Sequence, residues 1–212
     1  MESNEKKSVS FGDEVNTLFT NFGKGYWSKK AQKYVPSTKP LMNVDVPWVG
    51  EYVLSERAKS QTLELRQMMA TATDQQLRDY KLLQFDAVAA AGIFSYGSAT
   101  GLVVRSPYIV VDVDNLASTD EAREIQQTLV NDKEMVTALC FVSPKGLGVK
   151  WWVELPEWCQ DMTFCEQYAA LSRYIGYTYG ILADSTGSNV NRLCFLPHDP
   201  LCYIHPKYVT IK

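Results

Sequence analysis

The segment Tyr108–Asp114, YIVVDVD, constrains the fold more than any other stretch of the chain. Its β-branched residues, its shortness and the preceding Pro107 specify a strand. Side chains alternate along a strand, so Val111 and Val113 turn to one face while Asp112 and Asp114 turn to the other. Burial of the valines anchors the strand and holds two carboxylates together at its end. Unpaired, these anions would repel and one would take up a proton. A divalent cation removes that cost, and hard carboxylate oxygens suit Mg²⁺ or Mn²⁺ rather than zinc. An Asp-x-Asp strand end also serves as a helix cap or a solvated turn, so the pair alone leaves both readings open.

Downstream, Ser118 and Glu121 have capping-box spacing, and Ala122, Ile125 and Leu129 then share one helical face. Met135–Ser143 and Val149–Leu155 are further strands, separated by a loop from Pro144 to Gly148. Thr163 and Glu166 repeat the capping-box spacing. Phe164, Tyr168, Leu171 and Ile175 form a core-facing stripe, and Gly180 sits at a C-cap, which predicts a helix over 163–179. Upstream, Ser55–Met69 and Asp74–Leu83 read as helices and Ala87–Tyr96 as a buried strand, while Arg192–Leu196 is one more short strand. The order is α+β, with a mixed-direction β-sheet flanked by helices, and lacks the strict alternation of a doubly wound dinucleotide fold.

Residues 1–50 read as a basic entry segment of loop and strand, with Lys24, Lys29, Lys30, Lys33 and Lys39 among its lysines. This segment reads as a solvated arm or an edge strand, with a nucleic-acid-contacting arm as the alternative. The α+β domain then occupies 51–212, with a helical lead-in over 51–83. At 212 residues, 46% hydrophobic and 21% charged, the chain has the composition of a globular protein with a sizeable core. It has no apolar run of membrane-spanning length and no apolar stretch at its N-terminus, so a cytoplasmic location without membrane contact is expected. Five scattered cysteines point to reduced thiols. A net charge of −3 argues against coating nucleic acid with the whole surface and leaves room for a local basic groove.

Three further features could carry chemistry. Ser143-Pro-Lys-Gly-Leu-Gly-Val-Lys150 lacks both the P-loop and the dinucleotide spacing. As a hairpin it can still bring backbone N–H groups, the Ser143 hydroxyl and the lysines at its edges, Lys145 and Lys150, against phosphate oxygens. Gly146 and Gly148 would allow the close approach, although a plain tight turn accounts for the same residues. Asp184 ends the apolar run from Ile181 and could bring a third carboxylate, with Arg192 as a fixed-charge phosphate partner, but Asp-Ser-Thr-Gly is first of all a turn. Cys194, His198, Cys202 and His205 hold zinc-ligand residue types, but Pro197 and Pro200 argue against the helix that would align them. Adjacent Trp151 and Trp152 face opposite ways on a strand, so at most one is expected in the core. Cys140 reads as a buried small hydrophobe.

The ordered set YIVVDVDN, FVSPKGLGVKWWV and ILADSTGSNVNRLCFLPHDP resembles the VirE N-terminal-type domain of Bacteroidetes mobile elements over roughly Leu83 to Tyr208, and Val44–Met69 resembles its helical lead-in. Such domains are similar to the primase-polymerase group of the archaeo-eukaryotic primase superfamily, which implies an RRM-like core. The resemblance implies that Asp112 and Asp114 match the first motif. Ser143, Gly146 and Gly148 match the second, with Lys150 where the family has histidine, and Asp184 matches the acidic third motif, with Arg192 following in the same segment. The expected function is a primase-polymerase-like nucleotidyltransferase of a mobile-element or phage-like replication protein. It would hold Mg²⁺ or Mn²⁺ on Asp112, Asp114 and Asp184, and act on a nucleoside triphosphate and a single-stranded DNA template. The family's link to helicase regions implies a helicase domain or protein as partner and a chain that is one segment of a longer protein. The lysine at position 150 favours the alternative, a catalytically inert DNA- or partner-binding domain on the same fold. A nuclease or phosphodiesterase using the same carboxylates is the third reading.

Overall fold

A computed structural model describes residues 18–209. The chain opens with β1 (Phe19–Gly23), a short ribbon of β2 (Tyr26–Ser28) and β3 (Lys33–Val35), and β4 (Met42–Val44). Three helices follow: α1 (Val46–Leu54), α2 (Lys59–Met68) and α3 (Asp74–Gln84). Next come β5 (Ala87–Ala89), β6 (Gly92–Phe94), β7 (Leu102–Arg105), β8 (Tyr108–Asp114) and α4 (Thr119–Val130). The remainder comprises β9 (Thr137–Val142), β10 (Gly148–Glu154), α5 (Phe164–Tyr179), β11 (Cys194–Phe195) and β12 (Tyr203–Ile204).

The α+β class is as expected, but the single mixed sheet is replaced by two four-stranded sheets, ordered β12-β9-β10-β8 and β11-β5-β1-β4, and two two-stranded ribbons. Every pairing among the described residues is antiparallel. The reason lies in the connection β8-α4-β9. These two strands run parallel, but β10 inserts between them and pairs antiparallel with both. This arrangement is a split β-α-β unit.

The main sheet is covered on both faces. Ile109, Val111, Val113, Cys140, Val142, Trp151 and Val153 pack under α4 and α5. On the other face Tyr108, Leu139, Phe141 and Trp152 meet α1, α2 and strand β1. Both Trp151 and Trp152 are therefore fully buried, which corrects the expectation that at most one would be. Phe19 of β1 reaches Trp152 at 5.1 Å and Tyr108 at 6.3 Å between ring centroids. Strand β1 is an interior strand of its sheet rather than a solvated arm or an edge; residues 1–17 of the expected arm lie outside the described residues.

Other local departures have local causes. The expected strand Ala87–Tyr96 breaks into β5 and β6 in different sheets, because Gly92 takes φ +152° and sits where a Cβ would lie 1.9 Å from the Val104 carbonyl oxygen. Helix α1, capped by Asp45 accepting from the Trp48 N–H at 2.9 Å, lies ahead of the helix read from the residue pattern at Ser55–Met69 but within the Val44–Met69 stretch that the resemblance implies is helical. The capping box at Thr163 and the left-handed cap at Gly180 are both present on α5, with the helix running Phe164–Tyr179.

The segment Leu196–Cys202 ties the two sides together through Asp199, which is fully buried. Its carboxylate accepts from Arg123 Nη1 at 2.8 Å and Nη2 at 2.5 Å, from the Val142 N–H at 2.7 Å and from the Leu201 N–H at 3.0 Å. It thus replaces a neighbouring strand at the end of β9 and pins α4 to it. Replacing Asp199 with alanine leaves Arg123 with Gln126 but no counter-charge and leaves two backbone donors unpaired, so a loss of about 3 kcal/mol is predicted. Urea unfolding measures it; a loss below about 1 kcal/mol would show the pair to be incidental.

Candidate functional site

The antiparallel register of β8 and β10 builds the centre of the site. Lys150 lies opposite Asp112 and Gly148 opposite Asp114, so all four residues face the same side of the sheet. The Lys150 ammonium contacts Asp112 Oδ2, and Asp112 is nearly inaccessible to solvent. Its other oxygen, Oδ1, is buried and accepts no hydrogen bond from the described residues. Gly148 is required by space: a Cβ there would stand 2.5 Å from the Val113 carbonyl oxygen, 2.6 Å from Asp114 Oδ1 and 3.2 Å from the Ser143 hydroxyl. The hairpin closes through the Ser143 N–H on the Gly148 carbonyl at 2.8 Å. Gly146 turns with φ +83° and packs away from the carboxylates, against Thr119 and Arg66. Asn115, at φ +63°, ends β8 just past Asp114; asparagine tolerates this left-handed conformation better than most residues.

Asp184 is brought to the pair by the main chain. Its N–H donates to the Asp112 carbonyl at 2.7 Å along the free edge of β8, and its own carbonyl accepts from the Tyr168 hydroxyl of α5 at 2.5 Å. Gly187 lets the following 3₁₀ turn lie on the Tyr168 ring, since a Cβ would fall 2.2 Å from its hydroxyl oxygen. Each of Asp112, Asp114 and Asp184 offers a carboxylate oxygen within 4.8 Å of the other two, the one such group of His, Cys, Asp or Glu among the described residues. The Cys194, His198, Cys202, His205 set forms no such group: Cys194 and Cys202 are core residues, and His198 Nδ1 is paired with the Ser55 carbonyl at 2.8 Å. Cys140 is likewise fully buried.

Electrostatics distinguish the acids. Burial pushes the Asp112 carboxyl up against the pull of Lys150, and Asp114 adds to the rise. For Lys150, burial alone would lower the ammonium, but Asp112 and Asp114 outweigh it and hold the group above its usual value. Burial would raise Asp184 too, but the Thr186 hydroxyl and N–H, with Arg192 and Lys150, hold it below the ordinary carboxylate range. Arg192 reaches Asp184 at 3.3 Å and Asp112 at 4.0 Å.

Beside the carboxylates opens a cavity of about 650 Å³. Asp112, Asp114, Ser143, Lys145, Lys150 and Arg192 contribute to its wall, and Asp184 meets the pair from the side. The same cavity is lined by two further cations that sequence reasoning missed, Arg78 and Lys81 of α3, one turn apart. Burial, then repulsion from Lys150 and Lys145, pushes the Lys81 ammonium down to about 8. On an amphipathic helix such residues read as a solvated face; the only sequence signal was their i, i+3 spacing beside the buried Leu77.

The donor set fits a divalent cation by its chemistry: three carboxylates, one carrying a buried oxygen without a hydrogen-bond partner. No helix of the described residues is long and apolar enough to cross a membrane. No curated protein and no solved structure matches the chain. One family profile, described as BT4734-like, N-terminal domain, matches residues 81–204, a span that takes in Lys81 of the cavity wall, the hairpin, all three acids and Asp199. As that span is more than half of the chain, the protein belongs to the BT4734-like N-terminal domain family.

Proposed function

We propose that this cavity is a metal-dependent phosphoryl-transfer site for a nucleoside triphosphate, in a module of primase-polymerase type acting in mobile-element or phage-like replication. The observation that carries the reading is the juxtaposition of three convergent carboxylates with a cationic wall of Arg78, Lys81, Lys145, Lys150 and Arg192. A nuclease would need the carboxylates without the triphosphate cradle. The split β-α-β unit, with Asp184 lying along the free edge of β8, supports an RRM-like core and the resemblance to primase-polymerases.

Mg²⁺ or Mn²⁺ held by Asp112, Asp114 and Asp184 would supply Lewis-acid neutralisation at the reacting phosphate. The chain's own residues do the remainder. Lys145, Lys150, Arg192 and the α3 pair bind phosphate oxygens, and the Ser143 hydroxyl in the cavity wall adds a further donor. The reaction forms a bond from a 3′-oxygen to the α-phosphorus and releases pyrophosphate, while the 3′-hydroxyl proton leaves to water. With a cation held by the carboxylates, the Lys150 ammonium would be free to pair with a phosphate oxygen in place of Asp112.

The Lys150–Asp112 contact also favours a second reading, in which the site binds nucleotide or DNA but performs no transfer, the lysine taking the place of the cation. Primer extension with Mn²⁺ separates the two. Asp114→Asn is the informative variant, because removing Asp112 would strand a buried lysine at a cost of about 3–5 kcal/mol. Incorporation by the wild type and its loss, by about a hundredfold or more, in Asp114→Asn is expected. Incorporation unchanged in the variant would reject the assignment, and none in the wild type, with a thermal shift on adding Mn²⁺ and triphosphate, would establish the second reading.

Lys81 supplies a pH signature. An anionic ligand prefers the charged ammonium, so triphosphate affinity should fall as pH rises through about 8. Between pH 7 and 9 the decline should approach about tenfold and should flatten in Lys81→Arg. Superimposable wild-type and variant profiles in isothermal titration would remove Lys81 from the site.

A further inference from the structure

The β2–β3 ribbon contributes no residue to the hydrophobic core clusters. It forms a two-stranded sheet of its own, and Tyr26 and Trp27 are about half exposed. An isolated hairpin is marginal in water, yet this one is fixed at both feet. The Gly25 N–H donates to the Leu82 carbonyl at the end of α3 (2.6 Å), and the Gly97 N–H donates to the Thr38 carbonyl (2.8 Å). Gly25 has no room for a side chain, since a Cβ would lie 2.5 Å from the Val35 carbonyl oxygen. The tip is ordered as well: Ser28 accepts from the Ala31 N–H at 3.1 Å, and Gln32, at φ +50°, donates to the Lys29 carbonyl at 2.6 Å. Fixing a ribbon this firmly while leaving its aromatic residues in water marks a binding surface rather than a packing element.

Its chemistry identifies the partner. Lys24, Lys29, Lys30, Lys33 and Lys39 are all exposed, and residues 18–44 contain no aspartate or glutamate, although the whole chain carries −3. Trp27 and Tyr34 are cross-strand partners with ring centroids 4.9 Å apart. They share a face of the ribbon opposite to that of Tyr26 and Lys33. Lysines interleaved with exposed rings suit a strand whose bases are unstacked and whose phosphates lie alongside; a duplex would offer phosphates but keep its bases from the rings. The surface is continuous with the cavity, because Pro36, just after β3, lines it together with Arg78 and Lys81.

We infer that the β2–β3 ribbon is a single-stranded nucleic-acid-binding hairpin that leads a strand past Pro36 toward the cavity. Binding there needs neither metal nor triphosphate, so the inference stands apart from the phosphoryl-transfer reading.

Fluorescence anisotropy with a labelled oligothymidylate in EDTA, without nucleotide, tests it on the full chain. The wild type should bind, and Trp27→Ala should weaken binding by about tenfold. The Lys29→Gln, Lys30→Gln, Lys33→Gln triple variant should reduce the salt slope by about 2, at roughly 0.7 for each phosphate no longer neutralised. All four residues are exposed, so unchanged circular dichroism should accompany the weaker binding. Wild-type affinity in both variants, or equal binding of a duplex of the same length or of polyglutamate, would overturn the inference.

Discussion

The ion pair between Asp112 and Lys150 is the constraint around which the site is built. Two residues directly opposite on antiparallel strands must face the same side, and here that side is the interior. A buried carboxylate is tolerable only with a counter-charge, and Lys150 is a counter-charge that the fold itself supplies. One rung further, Gly148 leaves the space in which Asp114 and Ser143 sit. A one-residue slip of β10 would exchange lysine for tryptophan beside Asp112 and put a side chain where the glycine is needed.

The remaining parts come from distant chain segments, each through a definable contact. Tyr168 and Gly187 bring Asp184 alongside β8, and α3 supplies two further cations to the cavity. Asp199 and Arg123 lock the end of β9 to α4. Asp112 and Asp114 are thus carried by the sheet and Asp184 by a loop hydrogen-bonded to its edge, whereas Arg192, Arg78 and Lys145 approach from loops and a helix. In the proposed reading, such a division would hold a metal in one place while accommodating a flexible polyphosphate.

Local signals in the sequence were accurate where a residue's own neighbours decide its conformation. The strand Tyr108–Asp114, the Ser118 and Thr163 caps and the Gly180 stop follow from alternation, capping and left-handed preference. The convergence of Asp184 on the first two acids was expected from the resemblance to known motifs, and the geometry brings the three together. What escaped was set by long-range packing. Burial of both Trp151 and Trp152 depends on layers over each face of the sheet, the break at Gly92 on the approach of Val104, and the place of Arg78 and Lys81 on how α3 docks. Nothing in the alternation or spacing of those segments distinguishes these outcomes from the simpler ones expected.

If the carboxylates are a cation site in which Lys150 is the competing charge, removing that charge should strengthen metal binding rather than weaken it. Electron paramagnetic resonance of Mn²⁺ titrated into the nucleotide-free wild type and Lys150→Met protein measures this directly. The account predicts Mn²⁺ bound by the wild type and bound about tenfold more tightly by the variant. A free-ion spectrum in both proteins, or weaker binding in Lys150→Met, would contradict it.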